Sequence, residues 1–239
     1  MIEVKDLCAG YGKLEIIHDV EMHADAKELV TILGPNGSGK STLVKSIFRI
    51  ATIHSGSITY DRVDLTRLAT HEIARRGVVY VPQRAGVFGD LTVRENLNMA
   101  LYFSKSAHEE KIRRVTTIIP AIADKMQRKA VSLSGGEKQM LAIAMALLRE
   151  PTIIFLDEPT ASLSPKIAQN VLGMLKDIRD TLGIAVVFVE QNAIGALEIA
   201  DRAYFLLNGR VNLQGTAAEF RSNPKLSKMF LGLETTPAS

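Results

Sequence analysis

The chain has 239 residues and a mass of 26.1 kDa, long enough to bury a sizeable core without disulfides or metals. Apolar residues make up 46% and charged residues 23%, which excludes a mostly disordered chain; a net charge of +3 is too slight to predict nucleic acid or an anionic membrane as partner. Tryptophan is absent, and the single Cys8, which cannot form an internal disulfide, reads as a small buried hydrophobe in a reducing compartment.

Met1 to Asp6 has no basic stretch leading into an apolar run, so no signal peptide is expected. Ile2 to about Glu28 has the look of antiparallel β strands. An apolar run, Val30–Leu33, then meets a glycine turn, and a helix is predicted over Ser41–Ile50. Val78–Val81 is the next short strand. Helical patterns without a convincing strand fill the stretch from Val81 to Thr152. No Gly/Pro/Ser-rich linker bounds this stretch, so it is predicted to be a helical subdomain, about 86–148, inserted into one domain spanning 1–239. The longest apolar run, Met140–Leu148, is far below the ~20 residues that span a bilayer.

Thr152–Leu156 and Ile184–Val189 are continuously apolar, as strands buried on both faces of a parallel sheet should be. Between them, Ser164-Pro165 reads as an N-cap with proline in the first turn, and Gly183 as the helix stop. Asn208-Gly209 predicts a hairpin joining Ala203–Leu207 to Arg210–Leu213. Thr216 and Glu219 form a capping box for a last helix, and residues 234–239 read as a frayed tail. The fold class is α/β.

Three motifs carry chemistry. Gly34-Pro35-Asn36-Gly37-Ser38-Gly39-Lys40-Ser41 fits G-x-x-x-x-G-K-[ST] between a buried strand and a helix, which is the context a phosphate-binding loop needs. Its glycines let backbone N–H groups converge on phosphate oxygens, and the helix start adds a positive dipole end. Lys40 would reach the β- and γ-phosphates, and Ser41 would offer a hydroxyl to Mg²⁺. Asp157 and Glu158 follow the apolar run at a strand's C-terminal end, the crevice where ligands of open α/β sheets bind. There Asp157 would share the Mg²⁺ with Ser41, and Glu158 would face an attacking water. Ser134-Gly135-Gly136-Glu137 opens another helix. Its Ser…Glu spacing is a capping box, but a cap does not require two glycines, and these would let an anion approach free N–H groups.

In this order the motifs resemble those of ABC-transporter ATPase subunits, over nearly the whole chain. The resemblance implies a RecA-like P-loop core with an N-terminal antiparallel β subdomain and an inserted helical subdomain. It implies a head-to-tail dimer in which each ATP lies between residues 34–41 (with Thr42) of one subunit and Ser134, Gly135 and Gly136 of the other. It further implies that Tyr11 stacks on adenine and that Gln83 touches Mg²⁺ and water. Ser164 stands where the family usually has an aspartate.

The clearest departure follows Ile184–Val189, where Glu190-Gln191-Asn192 replaces the usual Thr-His-Asp. Gln191 can donate a neutral hydrogen bond to the γ-phosphate but carries no charge. A hydrogen bond to a charged group contributes about 1.5–3 kcal/mol against about 0.5–1.5 for a neutral pair. Losing roughly 1 kcal/mol slows a reaction about fivefold, whereas losing a general base costs about 10²–10⁴-fold. Glu158 is therefore expected to decide turnover and Gln191 to tune it.

The Val189-Glu190-Gln191-Asn192 variant resembles the shorter ATPase subunit of branched-chain amino acid importers, as do Gly77–Gln83, Val87–Leu97, Gly136–Ile143 and Met229–Gly232. Many members of that group carry Glu at the Gln83 position, so this chain departs in keeping Gln. Such importers imply a second, non-identical ATPase subunit, two membrane permease subunits that dock near Gln83–Phe88, an external solute-binding protein and a place on the cytoplasmic face of the membrane. ATPases of lipid or polysaccharide export share the layout but usually carry the histidine. Nucleic-acid or ribosome-acting relatives have a long coiled coil or two cassettes in one chain, and neither is present here.

Overall fold

The structure is a computed structural model that describes residues 1–84, 86–102 and 107–222; the Met229–Gly232 stretch and the predicted tail lie outside them. Two sheets organise the chain. The first is antiparallel, in the order β2-β1-β4-β5, from β1 (Ile2–Tyr11), β2 (Leu14–Ala24), β4 (Thr52–Tyr60) and β5 (Val63–Asp64). The second has the order β10-β9-β3-β8-β7-β6, from β3 (Leu29–Leu33), β6 (Val78–Val81), β7 (Ile153–Asp157), β8 (Ala185–Glu190), β9 (Arg202–Leu207) and β10 (Arg210–Thr216). Strands β3, β6, β7, β8 and β9 run parallel, and β10 returns antiparallel on β9.

The helices are α1 (Lys40–Ile47), α2 (Thr70–Arg75), α3 (Val93–Ala100), α4 (His108–Ile118), α5 (Pro120–Ala123), α6 (Gly135–Leu147), α7 (Pro165–Leu182), α8 (Ala193–Ile199) and α9 (Ala217–Ser222). Between β6 and β7 the described residues contain helices and turns and no strand.

Alternation along β3, β7 and β8 splits the core in two. Val30, Ile32, Ile153, Phe155, Val187 and Val189 face α1 and the antiparallel sheet. Leu29, Leu33, Ile154, Leu156, Val186 and Phe188 face α6, α7 and the insertion. Every residue of β3, β7 and β8 is buried, so nearly continuous apolar runs are what this position demands, with Thr31 the one polar residue inside them.

Three expectations need adjustment. Helix α1 stops at Ile47, because Phe48 leaves helical geometry to stack on Tyr80 and meet Phe155 edge-on. Strand β4 escapes the hydrophobic pattern because seven of its nine residues, all but Ile58 and Tyr60, remain exposed or half-exposed; pairing with β1 makes it a strand. Cys8 is half-buried rather than buried. Register shifts around it in β1 turn its sulfur to the surface, 3.6 Å from the Asp19 carboxylate.

Asn208 and Gly209, with φ of 49° and 76°, make the tight hairpin turn, and that turn is wedged between β2 and the loop after β3. The Gly209 N–H donates to the Ser38 carbonyl (3.0 Å), and its own carbonyl accepts from His18 N–H (2.9 Å). A Cβ on Gly209 would lie 2.2 Å from the Ile16 carbonyl oxygen. Gly209→Ala is therefore expected to destabilise the protein by about 1–3 kcal/mol and to disturb the Ser38 loop. Gly173→Ala, mid-α7 with open space around it, should instead stabilise by about 0.5–1 kcal/mol. Urea unfolding of the two variants checks both signs.

Candidate active site

Strand β3 delivers the chain to Gly34, and α1 starts at Lys40 behind a left-handed Gly39 with φ of 101°. A Cβ at Gly34 would lie 2.2 Å from the Leu206 carbonyl oxygen, and one at Gly39 would lie 2.6 Å from Ile17 Cγ2. These two glycines let the loop pass between β9 and β2. Pro35, Asn36 and Gly37 stand exposed, while Ser38, Gly39, Lys40 and Thr42 are buried and Ser41 is half-buried.

Lys40 is only 3% exposed. Its ammonium donates to the carbonyls of Gly34 (2.8 Å) and Pro35 (2.9 Å), and Glu158 Oε1 is 4.0 Å away. Burial pushes the lysine pKa down, while Glu158, Asp157 and Glu190 push it up. Beside it, the Ser38 hydroxyl is buried with no partner among the described residues. A buried cation curled onto carbonyls, together with an orphaned hydroxyl, suits a loop shaped for an anion from outside.

Asp157, the last residue of β7, points to the α1 face. Its Oδ1 accepts from Ser41 Oγ (2.7 Å) and its Oδ2 from the Tyr80 hydroxyl (3.2 Å). Burial first, then the Asp157 charge, raises the Tyr80 pKa well above its ordinary value, so Tyr80 stays a neutral donor. The Ser41 hydroxyl and the Asp157 carboxylate are hard oxygen ligands on two elements, a donor set that fits Mg²⁺.

Glu158 follows with φ of 48° and is 9% exposed. Its carboxylate is held from both sides: Gln83 Nε2 donates to Oε2 and Gln191 Nε2 to Oε1, each at 2.7 Å. Gln83 comes from the end of β6 and Gln191 from the end of β8, the strands on either side of β7. Gln191 thus rests on the glutamate, with its amide aimed at Glu158.

No role for Glu190, the last residue of β8, follows from the motifs, yet it is 3% exposed. Its Oε1 accepts from the Thr160 N–H (3.0 Å) and hydroxyl (2.7 Å), which ties β8 to the loop after Glu158. Burial raises its pKa, with these hydrogen bonds opposing. An acid following a long apolar strand is the only local hint of it.

Ser134 and the two glycines lie elsewhere in the chain's own architecture. Ser134 caps α6, taking the Glu137 N–H (3.3 Å) while Glu137 Oε2 accepts the Ser134 N–H (2.9 Å). Ser134 and Gly135 are exposed, and Gly136 is buried. A Cβ on Gly136 would lie 2.4 Å from Ile167 Cγ2, so the second glycine also serves packing against α7. Tyr11 ends β1 at a two-residue hairpin and is 45% exposed, a strand residue at a turn rather than within a loop. Ser164 sits at the N-cap of α7, but its hydroxyl makes no capping bond.

A family model described as ABC transporter matches residues 17–161. A probable branched-chain amino acid transport ATP-binding protein, LivF, of Archaeoglobus fulgidus is 43% identical over 234 residues, covering 98% of this chain and 99% of the relative. The high-affinity branched-chain amino acid transport ATP-binding protein BraG of Pseudomonas aeruginosa is 38% identical, covering 97% and 100%. Among solved structures, a dimeric post-hydrolysis state of the ATP-binding cassette MJ0796 bound to ADP and Pi superposes with a TM-score of 0.80 at 26% identity, covering 91% of this chain and 99% of that one.

The raised Glu190 pKa has a consequence for stability. The folded state holds this proton more tightly than the unfolded chain, so the ionised carboxylate costs stability as pH rises through the folded pKa. Glu190→Gln keeps an oxygen for Thr160 and removes the charge. It should raise the urea midpoint relative to the parent near pH 8, with the gain vanishing toward about pH 4, near the ordinary carboxyl value.

Proposed function

The chain belongs to the ABC transporter family and is an ATPase of that family, and from that premise we propose that it drives uptake of branched-chain or related amino acids. The end-to-end similarity to LivF and BraG, at 43% and 38% identity, supports this reading. No described helix is long and apolar enough to cross a membrane. By likeness to those relatives, the chain would work at the cytoplasmic face beneath permease subunits, paired with a second and non-identical ATPase subunit, with an external solute-binding protein upstream.

Each residue then has a physical task. Backbone N–H groups of residues 36–39 would surround the phosphates, and Lys40 would exchange the Gly34 and Pro35 carbonyls for phosphate oxygens, which relieves a buried cation of poor partners. Thr42 supports the loop from the first turn of α1, and Tyr11 offers its ring to the adenine. Magnesium, when bound, would neutralise charge on the phosphates, held by Ser41, Asp157 and Gln83. Glu158 orients the attacking water and takes its proton. Two amide donors occupy one lone pair on each of its oxygens and leave the others for that water. Ser134 and Gly135, exposed at the start of α6, complete the site of the partner subunit together with the Gly136 N–H.

A surface groove supports the permease reading. A groove of about 330 Å³ lies between the ends of β6 and α6, lined by Val81, Pro82, Phe88, Met99 and Met145. Phe88 and Met99 are 50% and 46% exposed. Buried Asn96 fixes this rim, accepting from the Phe88 N–H (2.7 Å) and donating to its carbonyl (3.0 Å). An apolar helix of a permease fits such a groove.

Three variants test the scheme. Glu158→Gln should lower ATP turnover by about 10²–10⁴-fold and leave a dimer that forms only with ATP, seen by sedimentation. Gln191→Ala should keep measurable turnover, about fivefold reduced. In the assembled transporter, Phe88→Glu should abolish uptake while the isolated protein hydrolyses ATP as before.

A further inference from the structure

We propose that Glu190 is a positioning residue for the hydrolytic step, closing a ring that sets where the Gln191 amide meets Glu158; this rests on Glu158 being the group that orients the attacking water. The ring is short. From Glu158 the chain runs through Pro159 to Thr160, whose N–H (3.0 Å) and hydroxyl (2.7 Å) both donate to Glu190 Oε1. Glu190 is followed directly by Gln191, whose Nε2 returns to Glu158 Oε1 at 2.7 Å. A backbone bond crosses the middle, from Glu158 N–H to the Val189 carbonyl at 3.1 Å. Parallel pairing of β7 with β8 ends at Asp157 and Val189, so beyond that bond the link between the two segments passes to these side chains.

Part of this has an ordinary cause. Thr160 is buried, and its N–H needs some acceptor. That need does not call for a buried carboxylate, which costs stability, nor for one placed directly before Gln191. Local turns do not anchor the loop either. Glu158 and Ser162 have φ of 48° and 62°, and two turn bonds, Ala161 N–H to Glu158 O and Leu163 N–H to Thr160 O (3.1 Å each), shape the segment without fixing it to β8. Gln191, in turn, is exposed. On an unfixed backbone its amide would exchange Glu158 for water and regain rotamer freedom. Glu190 holds both arms of the contact at once: one oxygen takes the two Thr160 donors, and the Gln191 N–H also stabilises its charged form. A glutamine at position 190 keeps an oxygen for Thr160 but turns an NH₂ group toward the Gln191 N–H, donor against donor. Gln83 still holds the other oxygen of Glu158 at 2.7 Å, so loss of the ring should slow turnover about fivefold rather than abolish it.

The test is a double-mutant cycle on ATP turnover by the purified protein, with Thr160→Val and Gln191→Ala. Each single variant should lower kcat about fivefold and leave KM for ATP unchanged. The double variant should also stand near fivefold, because either change breaks the same ring. Independent effects would multiply to about twenty-five-fold, and that result would overturn the proposal. Thr160→Ser retains the hydroxyl and should restore parental turnover; a loss equal to that of Thr160→Val would count against the ring. Should Thr160→Val fail to fold, Glu190→Gln takes its place in the cycle. That variant should lose about fivefold in kcat while its urea midpoint near pH 8 is no lower than the parent's, a split that a merely structural acid would not give. Parental turnover in Glu190→Gln would overturn the positioning role. Glu158→Gln separates the two levels: turnover like the parent there would sink the role of Glu158 itself, whereas an inactive Glu158→Gln beside a multiplicative cycle would sink the ring alone.

Discussion

Burial of one cation among carboxylates governs this molecule. Lys40 is nearly sealed from water, and its desolvation cost is met by carbonyls of its own loop and by the fields of Glu158, Asp157 and Glu190. None of those carboxylates contacts the ammonium at hydrogen-bonding distance, so the charge is compensated in sum but not saturated. Under the proposed function a phosphate chain would supply what is missing, in a low-dielectric pocket where charge-assisted bonds are strong. The parallel sheet makes this possible because β3, β7 and β8 end side by side and place Gly34, Asp157, Glu158, Glu190 and Gln191 at one edge.

The Glu158 carboxylate is itself positioned by neutral groups. Gln83 and Gln191 reach Glu158 from the strands flanking its own, so its orientation depends on the register of three neighbouring strands rather than on its local turn. A histidine at position 191 could carry charge and would pull the carboxylate toward ion pairing. An amide holds the geometry and leaves the negative charge available. This gives the Gln191 departure a physical meaning: it keeps the hydrogen bond and gives up the switchable charge.

Two connections lead away from this centre. The Gly209 turn clips the phosphate loop to β2, so the antiparallel sheet and the loop cannot shift independently. On the other side, Gln83 lies a few residues from Phe88 on the segment that leaves β6 for the apolar groove. Gln83 and Phe88 are thus joined by a short stretch of chain.

Local rules carried the sequence reading a long way. The G-x-x-x-x-G-K-S run, the apolar β7 ending in two acids, the Ser134 capping box, the Pro165 start and Gly183 stop of α7 and the Asn208-Gly209 turn each depend on a few adjacent residues, so their order suffices to place them. Strand β4 was not legible, since its residues are largely polar or exposed and its pairing partner is far away in the chain. Neither was the clamp on Glu158, because which glutamine reaches which oxygen follows from strand order in the sheet. The packing use of Gly136 and the burial of Glu190 are likewise tertiary facts. Sequence determines the chemical groups and their local geometry; distances between groups on different elements exist only once the sheet has assembled and its neighbours have chosen their register.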